Sequence, residues 1–187
     1  NTYMFFLHKD ELNLDKIRPI GIPTALRRIL TSHVAKSNRR SFGRDLLPQN
    51  FAIGVDGGMD FVTKATQLAI EKYITKKQSQ PQPEAPSRCF VSLDITNMFN
   101  SVSRELIFRI IKSRYPELLP LVNLLYKDEG TVFFRMADGS WQSRAMEEGV
   151  NQGCPLSSTL AALVLNEILK PLQRSLNERA RLRALAG

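Results

Sequence analysis

The sequence predicts an α+β fold in which short β-strands and a β-hairpin pack with several α-helices. Three observations predict this class. Extended segments lie near the start of the chain, several later segments carry apolar residues at helical spacing, and one segment has a period of two on both sides of an Asp-Gly pair. The sequence has no internal repeat. We therefore expect one moderate domain or two tightly joined lobes.

Composition and charge narrow the class of protein. Of the 187 residues, 43% are hydrophobic, which is enough to bury a core. The chain has 26 Lys and Arg against 18 Asp and Glu, a formal net charge of +8 that favours a nucleic-acid partner. Cys89 and Cys154 have neither zinc-site spacing nor a disulfide pattern, so we expect a reducing, intracellular compartment. No apolar run is long enough to predict a membrane span.

The N-terminal segments predict two extended stretches and then a helix. The stretch "YMFFLHK" is typical of a short strand, and Pro19 and Pro23 disfavour a helix in "IRPIGIP". From Thr24 the spacing predicts a basic amphipathic helix whose apolar face packs on the core, with a buried histidine in that face. The predicted apolar face consists of Leu26, Ile29, Leu30, His33 and Val34.

A second helix is predicted over residues 59–74, which carry apolar side chains at helical spacing. Residues 75–87, "TKKQSQPQPEAPS", are rich in Pro, Gln and Lys and have no apolar period. This composition predicts an exposed, flexible insertion. The insertion divides the chain into residues 1–74, residues 75–87 and residues 88–187.

The third part is expected to begin with a buried strand, "FVSL", that ends at Asp94. Ser103 is placed to cap a following helix, and "ELLPLVNLLYK" predicts another. The segments "TVFFRM" and "SWQSRAM" predict a β-hairpin around the turn dipeptide Asp138-Gly139. A long final helix is predicted from about Ser158. Its expected apolar face is Leu160, Leu163, Val164, Ile168 and Leu172.

Asp94 is the first candidate for chemistry. An acid at the carboxyl end of a strand points out of the sheet edge, where ligands commonly bind. Mg²⁺ prefers oxygen ligands and is usually held by one or two carboxylates together with substrate phosphates. Asp94 is therefore a candidate ligand of Mg²⁺. The alternative is that its side chain caps a turn.

Motifs in both halves of the chain resemble reverse transcriptases in order and spacing. "LDITNMF", then a hairpin, then "GVNQGCPLS" opening a helix resemble the palm, and "KIRPIGIPTALRRIL" resembles the fingers. The resemblance covers about residues 5–172 and is closest to non-LTR retrotransposon enzymes and, more distantly, group II intron enzymes. It implies a reverse-transcriptase-like fold with fingers in residues 1–74 and a partial palm in residues 88–187.

The resemblance also implies roles for individual residues. Asp94 would be the catalytic carboxylate, and with the backbone carbonyl of Ile95 it would bind Mg²⁺ for two-metal nucleotidyl transfer. Phe99 would occupy the volume that a ribose 2′-hydroxyl needs, which selects deoxynucleotides; core packing of the ring is the alternative. Arg18 and Lys16 would hold the triphosphate through their positive charges.

Gln152 and Gly153 resemble the Gln-Gly pair of the family. In that pair the glycine lets the backbone approach the nucleotide closely. The family pattern continues with Ser-Pro, whereas Ser157 is followed here by Ser158. The family's second carboxylate motif and its thumb have no match in this sequence. We therefore expect a fragment that covers the fingers and the first part of the palm.

The implied function is that of a fragment of an RNA-directed DNA polymerase. Its expected partners are an RNA template, a DNA or RNA primer and deoxynucleoside triphosphates, with the oligomeric state left open. The fragment alone is expected to be inactive, and the compartment is expected to be the nucleus if the source is a eukaryotic retrotransposon. The alternative is a polymerase-like fold used as a non-catalytic scaffold that binds nucleic acid.

Overall fold

A computed structural model describes residues 2–10, 13–79 and 91–186 of the chain. Only the backbone is described for residues 7–10, 13–19, 77, 79 and 183–186. The described residues form the mixed α+β fold that the sequence predicts, with one four-stranded sheet and seven α-helices. None of these helices is both long and apolar enough to cross a lipid bilayer.

The described residues contain four strands, seven α-helices and a short 3-10 turn at Pro116–Leu118. The strands are β1 (Thr2–Asp10), β2 (Asn13–Pro23), β3 (Gly130–Arg135) and β4 (Trp141–Met146). The helices are α1 (Ala25–Ser37), α2 (Arg39–Leu46), α3 (Gly58–Ser79), α4 (Met98–Ser101), α5 (Arg104–Arg114), α6 (Leu119–Tyr126) and α7 (Ser157–Ala186).

One sheet joins the N-terminal hairpin to a hairpin in the middle of the chain, with strand order β2-β1-β3-β4. The pairs β1–β2 and β3–β4 are antiparallel hairpins, and β1 pairs with β3 in parallel so that Tyr3 lies opposite Phe133. The predicted turn is confirmed, because Gly139 has a φ of 85° and the Asp138 carboxylate accepts a bond of 2.9 Å from the Ser140 amide. The N-terminal hairpin is thereby fixed to the middle of the chain.

The core lies between α2, α5, α6 and the first half of α7. Ser103 caps α5 as predicted, since its hydroxyl accepts a hydrogen bond of 3.2 Å from the Leu106 amide. Burial of each large aliphatic side chain contributes about 1.5–3 kcal/mol. The fully buried side chains include Phe42, Leu46, Ile107, Ile111, Val122, Leu156, Leu160 and Leu163. This packing holds α7 in place immediately after the segment "GVNQGCPLS".

Asp45 connects α2 to two other helices through charged groups. Its carboxylate accepts from Arg114 at 3.1 Å and from the Tyr115 hydroxyl at 3.2 Å, and it lies 3.4 Å from the Lys170 ammonium. Burial opposes ionisation of Asp45, but the hydrogen bond and charge of Arg114, with the charge of Lys170, hold the pKa of Asp45 below its usual range. Burial and the neighbouring Asp45 raise the pKa of Tyr115 to about 12.

Most of the predicted apolar face of α1 is wrong. Leu26 and Ile29 are 68% and 65% exposed, and His33 is exposed rather than buried. The helix instead packs through a stripe that contains Thr31, Val34 and Ala35, so Val34 is the residue of the predicted face that does pack against the core. Thr31 can be buried there because its hydroxyl donates to the carbonyl of Arg27 at 2.7 Å.

The limits and faces of two other helices also differ from prediction. Helix α3 continues to Ser79, so residues 75–79 are helical rather than part of an irregular insertion, and residues 80–87 lie outside the described ranges. Apolar side chains of α3 such as Leu68 are exposed, although the Phe61 ring lies 5.4 Å from that of Phe51. In α7, Ile168 and Leu172 are exposed because the core ends near Val164.

Asp45 is expected to make stability depend on pH. Because its folded-state pKa is depressed, its contribution is present above the unfolded value of about 4 and is lost as the pH falls through the folded value. Asp45→Asn should lower the free energy of unfolding by about 1–3 kcal/mol at neutral pH. Urea denaturation at neutral pH and at about pH 3 measures both values, and the difference between the two proteins should shrink at the lower pH. Asp60→Asn, at an exposed position of α3, is the control; an equal loss in both variants would contradict the role of Asp45.

A candidate nucleotide-binding site

The turn that contains the Gln-Gly pair docks directly on strand β2. The Gly21 amide donates a hydrogen bond of 2.8 Å to the carbonyl of Gln152. Gly153 has a φ of 123°, and a Cβ atom there would overlap the carbonyl oxygen of Gly21. Only glycine combines this backbone conformation with so close an approach. Two motifs separated by about 130 residues thus meet through backbone atoms.

A buried polar pair holds the same turn against β1. The Asn151 side-chain amide donates to the Thr2 hydroxyl at 2.9 Å, and both residues are buried. Gly21 lies between them, because a Cβ there would be 2.9 Å from Cγ2 of Thr2. Burying the Asn151 amide without its partner would be costly, so this bond fixes the position of the turn.

Phe99 reaches the turn from a third segment. It lies in α4, which starts after Asn97 in the left-handed conformation, with a φ of 51°. The Val150 amide donates to the carbonyl of Phe99 at 2.7 Å, and a Cβ on Gly149 would overlap the carbonyl of Asn100. The Phe99 side chain is half-buried and packs partly against the core. The structure therefore brings Phe99, Gln152 and Gly153 together.

Arg104 supports this loop from behind, and sequence reasoning missed it. The residue is buried, and its guanidinium donates to the carbonyl of Gly149 at 2.9 Å and to that of Met146 at 2.8 Å. The guanidinium also lies 5.6 Å from the centre of the Tyr126 ring. Burial lowers the pKa of Arg104 from its usual value, and Tyr126 and Glu148 partly oppose this change. In the sequence, Arg104 looks like an ordinary surface arginine at the start of a helix, so no local signal reveals it.

The predicted strand before Asp94 is wrong over residues 91–93, and Phe90 lies outside the described residues. Residues 91–95 form no regular secondary structure, and Val91 and Leu93 are 68% and 82% exposed. A strand needs a neighbour to satisfy its backbone groups, and the described sheet contains only β1 to β4. Asp94 and Ile95 are both exposed on this segment, five and four residues before Phe99.

Two further residues of the predicted site lie on β2. The side chains of Lys16 and Arg18 lie outside the described part of the structure. The backbone of Arg18 is paired with that of Leu7, in the register that also pairs Ile20 with Phe5. Among the described residues, no three His, Cys, Asp or Glu side chains form a group that could hold a metal ion.

The chain matches a family of known proteins. Residues 7–182 match the family model described as "Reverse transcriptase (RNA-dependent DNA polymerase)". A search of curated proteins finds no match. The matched range is more than nine-tenths of the chain and contains every segment of the candidate site except Thr2.

Proposed function

Because the chain belongs to the reverse transcriptase (RNA-dependent DNA polymerase) family, we propose that it forms the nucleotide-binding part of an enzyme that copies RNA into DNA. The observation that carries the proposal is the docking of the Gln152–Gly153 turn on β2 beside Phe99. Its proposed partners are an RNA template, a DNA or RNA primer and deoxynucleoside triphosphates. The motif "EEGVNQGCPLS" supports a non-LTR retrotransposon or group II intron type.

The donors present near Phe99 fit a divalent metal ion in chemical type. Asp94 offers a carboxylate and Ile95 a backbone carbonyl, which are the hard oxygen ligands that Mg²⁺ prefers. The Asp94 carboxylate has no hydrogen bond or ion pair with any described residue, so it is free to bind an ion. Mg²⁺ would activate the primer hydroxyl and neutralise the charge of the leaving pyrophosphate. We propose that the second carboxylate of a two-metal site comes from outside the residues described here.

Nucleotide recognition is divided among three segments in this proposal. Arg18 and Lys16 on β2 would supply positive charge for the triphosphate. Ile20 lies on the same strand, and its Cγ2 is 3.7 Å from the position of a Cβ on Gly153. Gly153 in the turn is exposed and has no side chain, so a nucleotide could approach its backbone closely. The Phe99 ring would stand where the 2′-hydroxyl of a ribonucleotide would lie.

The catalytic proposal is tested by primer extension on an RNA template with deoxynucleotides and Mg²⁺. The 187-residue chain alone should not extend the primer, and the complete polymerase should. Asp94→Asn in the complete polymerase should abolish synthesis because the amide removes a negative charge from the metal site, whereas Asp60→Asn should not.

Arg18→Ala should lower the efficiency of nucleotide incorporation by the equivalent of about 1.5–3 kcal/mol, because the substitution removes a charge-assisted hydrogen bond.

Two results would contradict this proposal. Synthesis that persists in the Asp94→Asn enzyme would remove Asp94 from the reaction. A complete polymerase that binds RNA but never extends a primer would favour the alternative function, a non-catalytic scaffold that binds nucleic acid.

The role of Phe99 is tested by sugar selection in the same assay. Phe99→Val should raise the efficiency of ribonucleotide incorporation relative to deoxynucleotide incorporation, because the smaller side chain frees volume beside the 2′ carbon. Phe108→Val is the matched control, since Phe108 also packs partly against the core. If both substitutions leave the ratio unchanged and only lower stability, Phe99 is a core residue and does not select the sugar.

A further inference from the structure

One face of the sheet carries exposed aromatic side chains. Residues that lie opposite one another in neighbouring strands share a face, and so do residues two apart in one strand. By these rules Tyr3, Phe133 and Trp141 lie on one face, which we call the outer sheet face. Other residues on it are Phe5, Ile20, Ile22 and Arg135.

The opposite face is partly covered, which distinguishes the two. Thr2 and Val132 lie on that side and are buried, and Asn151 packs there against Thr2 and Gly21. On the outer sheet face Tyr3 and Trp141 are 49% and 56% exposed. Tyr3 and Trp141 are therefore available for contact over about half of their surface, and Phe133 between them is partly buried.

Three of these rings form a contiguous group, the aromatic platform of Tyr3, Phe133 and Trp141. The ring centres of Tyr3 and Phe133 are 6.1 Å apart, and those of Tyr3 and Trp141 are 5.8 Å apart and almost perpendicular. The edge contact between Tyr3 and Trp141 stabilises the orientation of both rings, and both side chains remain about half exposed. Open aromatic faces held on a rigid sheet are the feature on which nucleobases stack.

The charge beside the platform suits a polyanion. Arg135 occupies the outer sheet face, is exposed, and donates its Nε–H to the Gly139 carbonyl at 3.3 Å. Its guanidinium has no acidic partner among the described residues. Asp138, in the same turn, accepts two hydrogen bonds from Ser140 instead, at 2.6 and 2.9 Å. With a net charge of +8 for the chain, this surface attracts phosphates.

We propose that the aromatic platform binds single-stranded RNA by stacking its unpaired bases on Tyr3, Phe133 and Trp141. The proposal rests on the proposed function, because the platform shares its sheet face with Ile20, which lies next to the Gly153 turn. A base-paired helix hides its base faces in its own stack, so the platform discriminates against duplexes. Arg135 contributes charge and the rings contribute the preference for single strands.

The single tryptophan of the chain allows a direct test. We would titrate the 187-residue protein with an oligoadenylate of about 12 nucleotides, a length within the usual range for single-strand sites, and follow the fluorescence of Trp141. The expected result is quenching by the single strand at a concentration where an RNA duplex of equal length gives little change. Binding without any change in Trp141 emission would overturn the proposal.

Two matched substitutions on the same strand separate stacking from general charge attraction. Tyr3→Ala should weaken oligoadenylate binding roughly fivefold or more, measured by anisotropy of a labelled strand. Phe6→Ala should leave binding unchanged, because Phe6 is 48% exposed on the opposite face, where its ring contacts that of Phe134. Equal effects of the two substitutions would contradict the proposal.

Other occupants of the platform give recognisable results. If emission of Trp141 changes with protein concentration and without RNA, a second copy of the chain covers the face, and the proposal is wrong. If the complete polymerase synthesises DNA normally but Trp141 does not respond to oligoadenylate, the stacking proposal fails and the proposed function stands. If quenching occurs but the complete polymerase never extends a primer, the proposed function fails instead.

Discussion

The candidate site depends on the approach of the Gly153 backbone to the β2 backbone at Gly21. Two main chains come this close only where neither carries a side chain toward the other, and Gly153 also has a positive φ. A hydrogen bond of 2.8 Å from the Gly21 amide to the Gln152 carbonyl then fixes which residues of the two segments lie opposite one another. Any side chain at residue 153 would separate the turn from the strand that carries Arg18.

The surrounding structure supports this contact from several sides. Asn151 bonds to Thr2 on β1, Val150 bonds to Phe99, and Arg104 holds the carbonyl of Gly149. After the turn, the buried Leu156 lies immediately before α7, so the core anchors the other end of the segment. The loop of residues 149–153 is therefore determined by nonlocal contacts with a strand, a short helix and a buried arginine.

Local patterns predicted the elements that depend on local chemistry. The hairpin followed from the Asp138-Gly139 pair, and the start of α5 followed from the capping side chain of Ser103. The buried stripe of α1 could not be predicted in the same way. Leu26 and Thr31 lie on neighbouring stripes, and only the position of α1 against the core decides which one is buried. The expected strand before Asp94 failed because pairing requires a partner elsewhere in the chain.

Part of the candidate site was also predictable from the sequence, and part was not. Phe99, Gln152 and Gly153 were identified from motifs, and the structure brings them together. Arg104 gave no signal, because its function comes from carbonyl groups more than 40 residues away. Asn151 and Thr2 were missed for the same reason.

The most direct test of the central claim is the exchange rate of the Gly21 amide hydrogen, measured by NMR. If the turn docks on β2, this amide is protected in the native protein, and Gly153→Ala raises its exchange rate toward that of a free amide. The Tyr115 amide, which donates to Ile111 at 2.9 Å far along the chain, should remain protected in both proteins. A Gly21 amide that exchanges freely in the native protein, or stays fully protected in Gly153→Ala, would contradict the account.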